Sequence, residues 1–97
     1  MDEPCEIYYD ELLDRAEEIP LQRFNRAEDM SEAAHEAYQA AVDRLVRQLD
    51  LGEAEALALT RAFGREVKAW IEEDTYDWDE LRERLERVQE TFDPTAA

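Results

Sequence analysis

From Trp78 to Phe92 an apolar side chain returns every third or fourth residue, as Trp78, Leu81, Leu85, Val88 and Phe92, and every position between them is charged or polar. Only a helix collects that spacing on one face, because 3.6 residues make one turn. The pattern predicts a helix over 77–92, opened by Asp77 with Glu80 as a capping box and stopped by Asp93 and Pro94. On its solvent side, Glu80 with Arg84 and Glu83 with Arg87 stand one turn apart as ion pairs.

The same period recurs three times upstream. Residues 4–19 read as a helix started by Pro4 and ended by Pro20. Tyr8, Tyr9, Leu12, Leu13, Ala16 and Ile19 lie opposite an acidic arc of Asp10, Glu11, Asp14, Glu17 and Glu18. A helix over 30–50 starts at Asp29 or Ser31 and carries His35, Tyr38, Val42, Leu45 and Leu49 as its inner stripe. A turn follows in which Gly52 is expected to be left-handed while Asp50 and Glu53 cap the next helix. That helix, over 53–73, buries Leu57, Thr60, Phe63, Val67, Trp70 and Ile71, with Gly64 on the same face to admit a close neighbour. So short a turn makes the two helices it joins antiparallel neighbours. There is no strand-like alternation, internal repeat or Gly/Ser linker. The expected fold class is therefore all-α, a small bundle of about four helices in a single helical domain over 1–97.

Its core must be small. Ten Leu, three Ile, four Val and three Phe in 97 residues stand close to the composition at which highly charged chains remain disordered. The apolar stripes, two Trp and four Tyr argue for folding. One cysteine, Cys5, cannot close an internal disulfide, and Asp2, Glu3 and Glu6 around it disfavour its thiolate. No apolar run has signal-peptide or membrane-spanning length, and the expected location is the cytoplasm.

The net charge of −16 is unevenly spread. Residues 1–36 carry −9, residues 37–71 carry zero and include a basic row of Arg61, Arg65 and Lys68, and residues 72–97 carry −7. Nucleic acid and anionic membrane would repel such a chain, so its expected partners are basic proteins. Acid in one place opposes the local fold. Glu72, Glu73 and Asp74 close the third helix at the negative end of its dipole, each at about 0.3–1 kcal/mol. Tyr76 follows, placed to anchor a partner's Arg by stacking, a role Tyr8 or Tyr9 would share on the first helix.

Catalytic and metal chemistry find little support. Glu32 and His35 have the Glu-x-x-His spacing of carboxylate-bridged di-iron bundles. The chain has one His, so such a site would need a second copy, and the plainer expectation is a partly buried, hydrogen-bonded His without metal. The two glycines are isolated, which excludes a phosphate loop, and nothing in the pattern predicts a pocket. The expectation is a protein that is not an enzyme and uses no cofactor.

What remains is the acidic surface itself. Asp10, Glu11, Asp14, Glu17 and Glu18 on the first helix, and Glu72, Glu73, Asp74, Tyr76, Asp77, Asp79 and Glu80 around the third turn, form the expected partner-binding set. Acids at successive helical turns rise about 6 Å per four residues, of the order of the spacing of phosphates on a strand. In size, charge and helicity the chain resembles the small acidic phage inhibitors of restriction or CRISPR effectors, a likeness of type that no motif carries. The resemblance implies a stoichiometric inhibitor that mimics nucleic-acid phosphates and occupies the basic groove of a nucleic-acid-binding protein. The alternative is a helical interaction module, a homodimer through the last helix included, whose acidity serves solubility in a salt-adapted or high-GC organism.

Overall fold

The computed structural model describes residues 3–17, 26–73 and 77–92. They form four helices, α1 (Pro4–Ala16), α2 (Arg26–Gln48), α3 (Glu53–Glu73) and α4 (Trp78–Thr91), with no strand among the described residues. At 1.5 Å per residue α2 and α3 are about 34 and 31 Å long, close to the 40 Å long axis of the molecule. The shorter α1 and α4 lie along this pair. Each helix packs on the next in chain order and α1 closes the ring against α4, whereas α2 and α4 do not meet.

Pro4 sits at the first position of α1, where its missing N–H loses nothing. The Ile7 amide donates to the Glu3 carbonyl at 3.0 Å to begin the ladder. The helix ends at Ala16, three residues short of the expected 4–19. Glu17 follows as the cap, its amide donating to the Leu13 carbonyl at 3.0 Å. α2 starts at Arg26, one turn ahead of the expected 30–50. Glu28 and Asp29 thereby fall in its first turn, where the dipole favours acids, and neither Asp29 nor Ser31 is the cap.

The turn between α2 and α3 also differs from expectation. Asp50, at φ 56°, takes the left-handed conformation, and Gly52 does not. Asp tolerates that region better than most side chains do. Leu45's carbonyl accepts from the amides of both Leu49 (3.2 Å) and Leu51 (3.4 Å), closing α2. Gly52 instead precedes α3, its carbonyl accepting from the Ala56 amide at 2.9 Å.

α4 starts as the sequence predicts. Asp77 Oδ1 accepts from the amides of Asp79 at 3.1 Å and Glu80 at 3.3 Å. Glu80 does not return the bond; its carboxylate turns to Arg84, so the motif is a cap and not a box. Removing it should cost about 0.5–2 kcal/mol. Asp77→Ala is therefore expected to lower the urea midpoint by that equivalent without changing the slope of the transition.

The core joins all four helices, with Trp70, Tyr8, Phe63, Ile7, Leu12, Leu45, Leu81 and Leu85 fully buried. On α2 the innermost stripe is Met30, Ala33, Ala37, Ala41 and Leu45. The larger Tyr38, Val42 and Leu49 are only partly buried and His35 is exposed. The expected stripe was thus turned to one side. Alanines line the line of closest approach, where short side chains let helices come together, and the bulkier residues flank it. On α3, Thr60, Phe63, Val67, Trp70 and Ile71 are buried as expected. Ala56 and Leu59 join them, and Leu57 is half-exposed.

Candidate functional site

The acidic residues of α1 divide by environment. Asp10, Asp14 and Glu17 are exposed and form no ion pair with a described residue. Glu11 is different. Its side chain is 17% exposed and is held by Arg15 at 2.6 Å and by Arg44 of α2 at 3.0 Å. Burial pushes its carboxyl up, but hydrogen bonds and charge from Arg15 and Arg44 outweigh this and hold it below the usual carboxylate range. Glu11 is thus a stitch between α1 and α2 and contributes little field to the outside.

The end of α3 divides in the same way. Glu73, expected to oppose its own helix without recompense, accepts from Arg84 Nη1 at 2.5 Å. Arg84 also donates through Nε to Glu66 at 2.5 Å, and Glu80 lies 3.7 Å away. Glu72 is exposed and has no such partner among the described residues. Glu18, Asp74 and Tyr76 lie outside the described residues.

α1 and α4, which carry two of the acidic clusters, pack together. Tyr9 of α1 is half-buried, its ring edge-on to Trp78 with centroids 6.0 Å apart. Burial pushes its phenol up, the charges of Asp79 and Asp10 push it further, and Arg82 draws it down. Tyr9 thus feels one carboxylate from α1 and one from the start of α4, and the Arg82–Glu6 pair joins the same two helices. Trp70 backs the Tyr9–Trp78 contact. Its ring packs on Trp78 at 5.0 Å, and its Nε1 donates to the Asp77 carbonyl at 3.1 Å. Tyr8 takes no part in it, being wholly buried against Phe63 with centroids 5.5 Å apart.

His35 is exposed, its Nε2 lying 3.5 Å from Gln39 Nε2, and Glu32 is exposed beside it. No group of three or more His, Cys, Asp or Glu is arranged to hold a metal ion among the described residues. Cys5 is buried, and its thiol is pushed up to about 11 by burial, then by Glu3, Glu86 and Glu6, which keeps it protonated at neutral pH. Its amide donates to Gln89 Oε1 at 2.8 Å, and Gln89 reaches Glu3 at 3.3 Å, tying the start of α1 to the end of α4.

No helix among the described residues is long and apolar enough to cross a membrane. Contrary to the sequence-based expectation, the surface does carry a groove, between α2 and α3. Gly64 lies in it and not at a close helix contact. A Cβ there would meet only the Tyr8 hydroxyl, at an ordinary 3.9 Å.

The geometry leaves Asp10, Asp14, Glu17, Glu72, Asp77 and Asp79 as outward-facing carboxylates, with Glu11, Glu73 and Glu80 drawn into internal ion pairs. Of the two tyrosines expected to serve as an anchor on the first helix, Tyr9 is half-buried against Trp78 and Tyr8 is fully buried, and nothing in the spacing links Tyr9 to α4. No protein-family model, curated protein or solved structure matches the chain.

Proposed function

We propose that the chain is a non-enzymatic binding protein whose α1–α4 face presents carboxylates to the basic surface of a nucleic-acid-binding protein, in the place of phosphates. The observation that carries this reading is the edge contact of Tyr9 on α1 with Trp78 at the start of α4, which brings their sequence neighbours, the exposed Asp10 and Asp79, to adjoining parts of two helices. Asp10, Asp14, Glu17 and Asp79 form no ion pair with a described residue, whereas Arg15, Arg44 and Arg84 engage Glu11, Glu66 and Glu73, and Arg82 holds Glu6 and Glu86. Asp10, Asp14 and Glu17 rise about 6 and then 4.5 Å along α1, and a groove shaped for polyanions would meet them as a row. Tyr9 and Trp78 supply a half-buried aromatic centre of the kind that anchors interfaces. Such a complex would form quickly at low salt and weaken with ionic strength.

The test uses Asp10→Lys, Asp14→Lys, Glu17→Lys and Glu72→Lys together, four exposed positions outside the internal ion pairs. Immobilised wild-type protein is expected to retain a nucleic-acid-binding protein from its host's extract. It should release that protein to duplex DNA or RNA and at about 1 M salt, where screening acts within about 3 Å. The reversed variant should retain nothing while keeping its helical circular dichroism. A partner held equally by both proteins, or held through high salt, would overturn the proposal and leave the acidity to solubility.

A further inference from the structure

The groove between α2 and α3 encloses about 510 Å³, within the range of small-molecule sites. Ala34, Tyr38, Gly64 and Ile71 form its largely apolar surface, and the Tyr8 hydroxyl lies at its floor. Tyr8 has no exposed area, and its hydroxyl has no hydrogen-bond partner among the described residues. Buried polar groups are nearly always paired, so this one marks a place where a partner belongs.

At the rim stand Arg61 and Lys68, seven residues apart on α3 with Gly64 between them. Both are exposed, and neither forms an ion pair with a described residue, although Arg15, Arg44, Arg47, Arg82 and Arg84 all do. Arg65 and Arg87 are likewise exposed and without an ion pair to a described residue, so what sets Arg61 and Lys68 apart is their shared place at the rim of an apolar groove. The net charge does not forbid an anion there, because fields beyond about 8 Å are screened at physiological salt and the nearest charges decide.

We propose that this groove binds a small amphipathic anion, whose apolar body lies on Tyr38 and Ile71 over Gly64 and whose anionic head is held by Arg61 and Lys68 with a hydrogen bond from Tyr8. Gly64 keeps the floor open, since a side chain there would stand against the Tyr8 hydroxyl. The site lies on a different helix pair from the acidic face, so it stands whether or not that face captures a partner.

The test is a nitrogen-15 NMR titration with three probes, 2-naphthoate, the uncharged 2-naphthamide and acetate. Naphthoate is expected to shift the amides of Ala34, Tyr38, Gly64 and Lys68 to saturation, with the amide and acetate at least about tenfold weaker. Arg61→Gln with Lys68→Gln should weaken naphthoate by about tenfold and leave naphthamide unchanged. Tyr8→Phe removes only the unpaired hydroxyl. It should weaken naphthoate several-fold while raising the melting temperature of the free protein by roughly 4–8 °C. Equal binding of naphthoate and naphthamide, equal binding of acetate, or no groove shifts at millimolar probe would each overturn the proposal. So would groove shifts on diluting the free protein, which would assign the groove to contact between copies.

Discussion

Replacing Trp70 by alanine is expected to remove about 3–5 kcal/mol of stability, the range for deleting a buried aromatic. A domain of this size holds about 5–15 kcal/mol in total, so the variant should lose most of its helical signal by physiological temperature. Three contributions act at one residue. The indole fills the core where α3 approaches α4, its ring packs on Trp78, and its Nε1 bonds the carbonyl of Asp77, the residue that caps α4. Trp70→Phe keeps an aromatic ring and loses the hydrogen bond, and should cost about 1–2 kcal/mol. Guanidinium titrations followed by far-ultraviolet circular dichroism distinguish these values. A loss below about 1 kcal/mol for Trp70→Ala would mean that the α3–α4 packing described above is wrong.

How far the sequence reveals this structure depends on which residues carry the pattern. Leu81 and Leu85 on α4, and Phe63, Val67 and Trp70 on α3, are large, apolar and spaced by three or four, and all are buried as their spacing predicts. α2 was harder to read because its inner line is alanine. Ala33, Ala37 and Ala41 give a weak hydropathic signal beside Tyr38 and Val42, yet their small size sets the approach of its neighbours. Boundaries failed where two signals competed. Asp50 and Gly52 can both leave the right-handed region, and the chain turns at the first of them.

The acidic site was legible as composition but not as geometry. Which carboxylates are free depends on which of them an arginine from another helix can reach, and no spacing along one helix contains that information. Arg44 reaches Glu11 across 33 residues and Arg84 reaches Glu66 across 18. The groove was invisible for the same reason. Ser31, Ala34, His35 and Tyr38 meet Arg61, Gly64, Lys68 and Ile71 only because the first half of α2 lies against the second half of α3, as an antiparallel pair requires.

Arg84→Ala is the substitution that most directly probes the sorting of the acids, and it is expected to cost about 1–2 kcal/mol. The side chain is only 17% exposed and its charge is stabilised by the hydrogen bonds it donates to Glu66 and Glu73, which hold its pKa up. Hydrogen bonds between charged groups are worth about 1.5–3 kcal/mol each when buried. Glu66 and Glu73 are 30% and 50% exposed, so water compensates part of the loss and the lower figure applies. Arg82→Ala is the control. Its contacts with Glu6 and Glu86 are both 3.7 Å and its side chain is 55% exposed, so removal should change stability by less than about 0.5 kcal/mol. If the Arg84 network is what neutralises Glu73, then Glu73→Gln should matter less in the Arg84→Ala background than in the wild type. Arg84→Ala also returns Glu73 to the outward field, so the variant should capture a basic partner at least as well as the wild type while unfolding earlier. Loss of capture in step with loss of stability would instead tie binding to the α3–α4 packing and not to the free carboxylates.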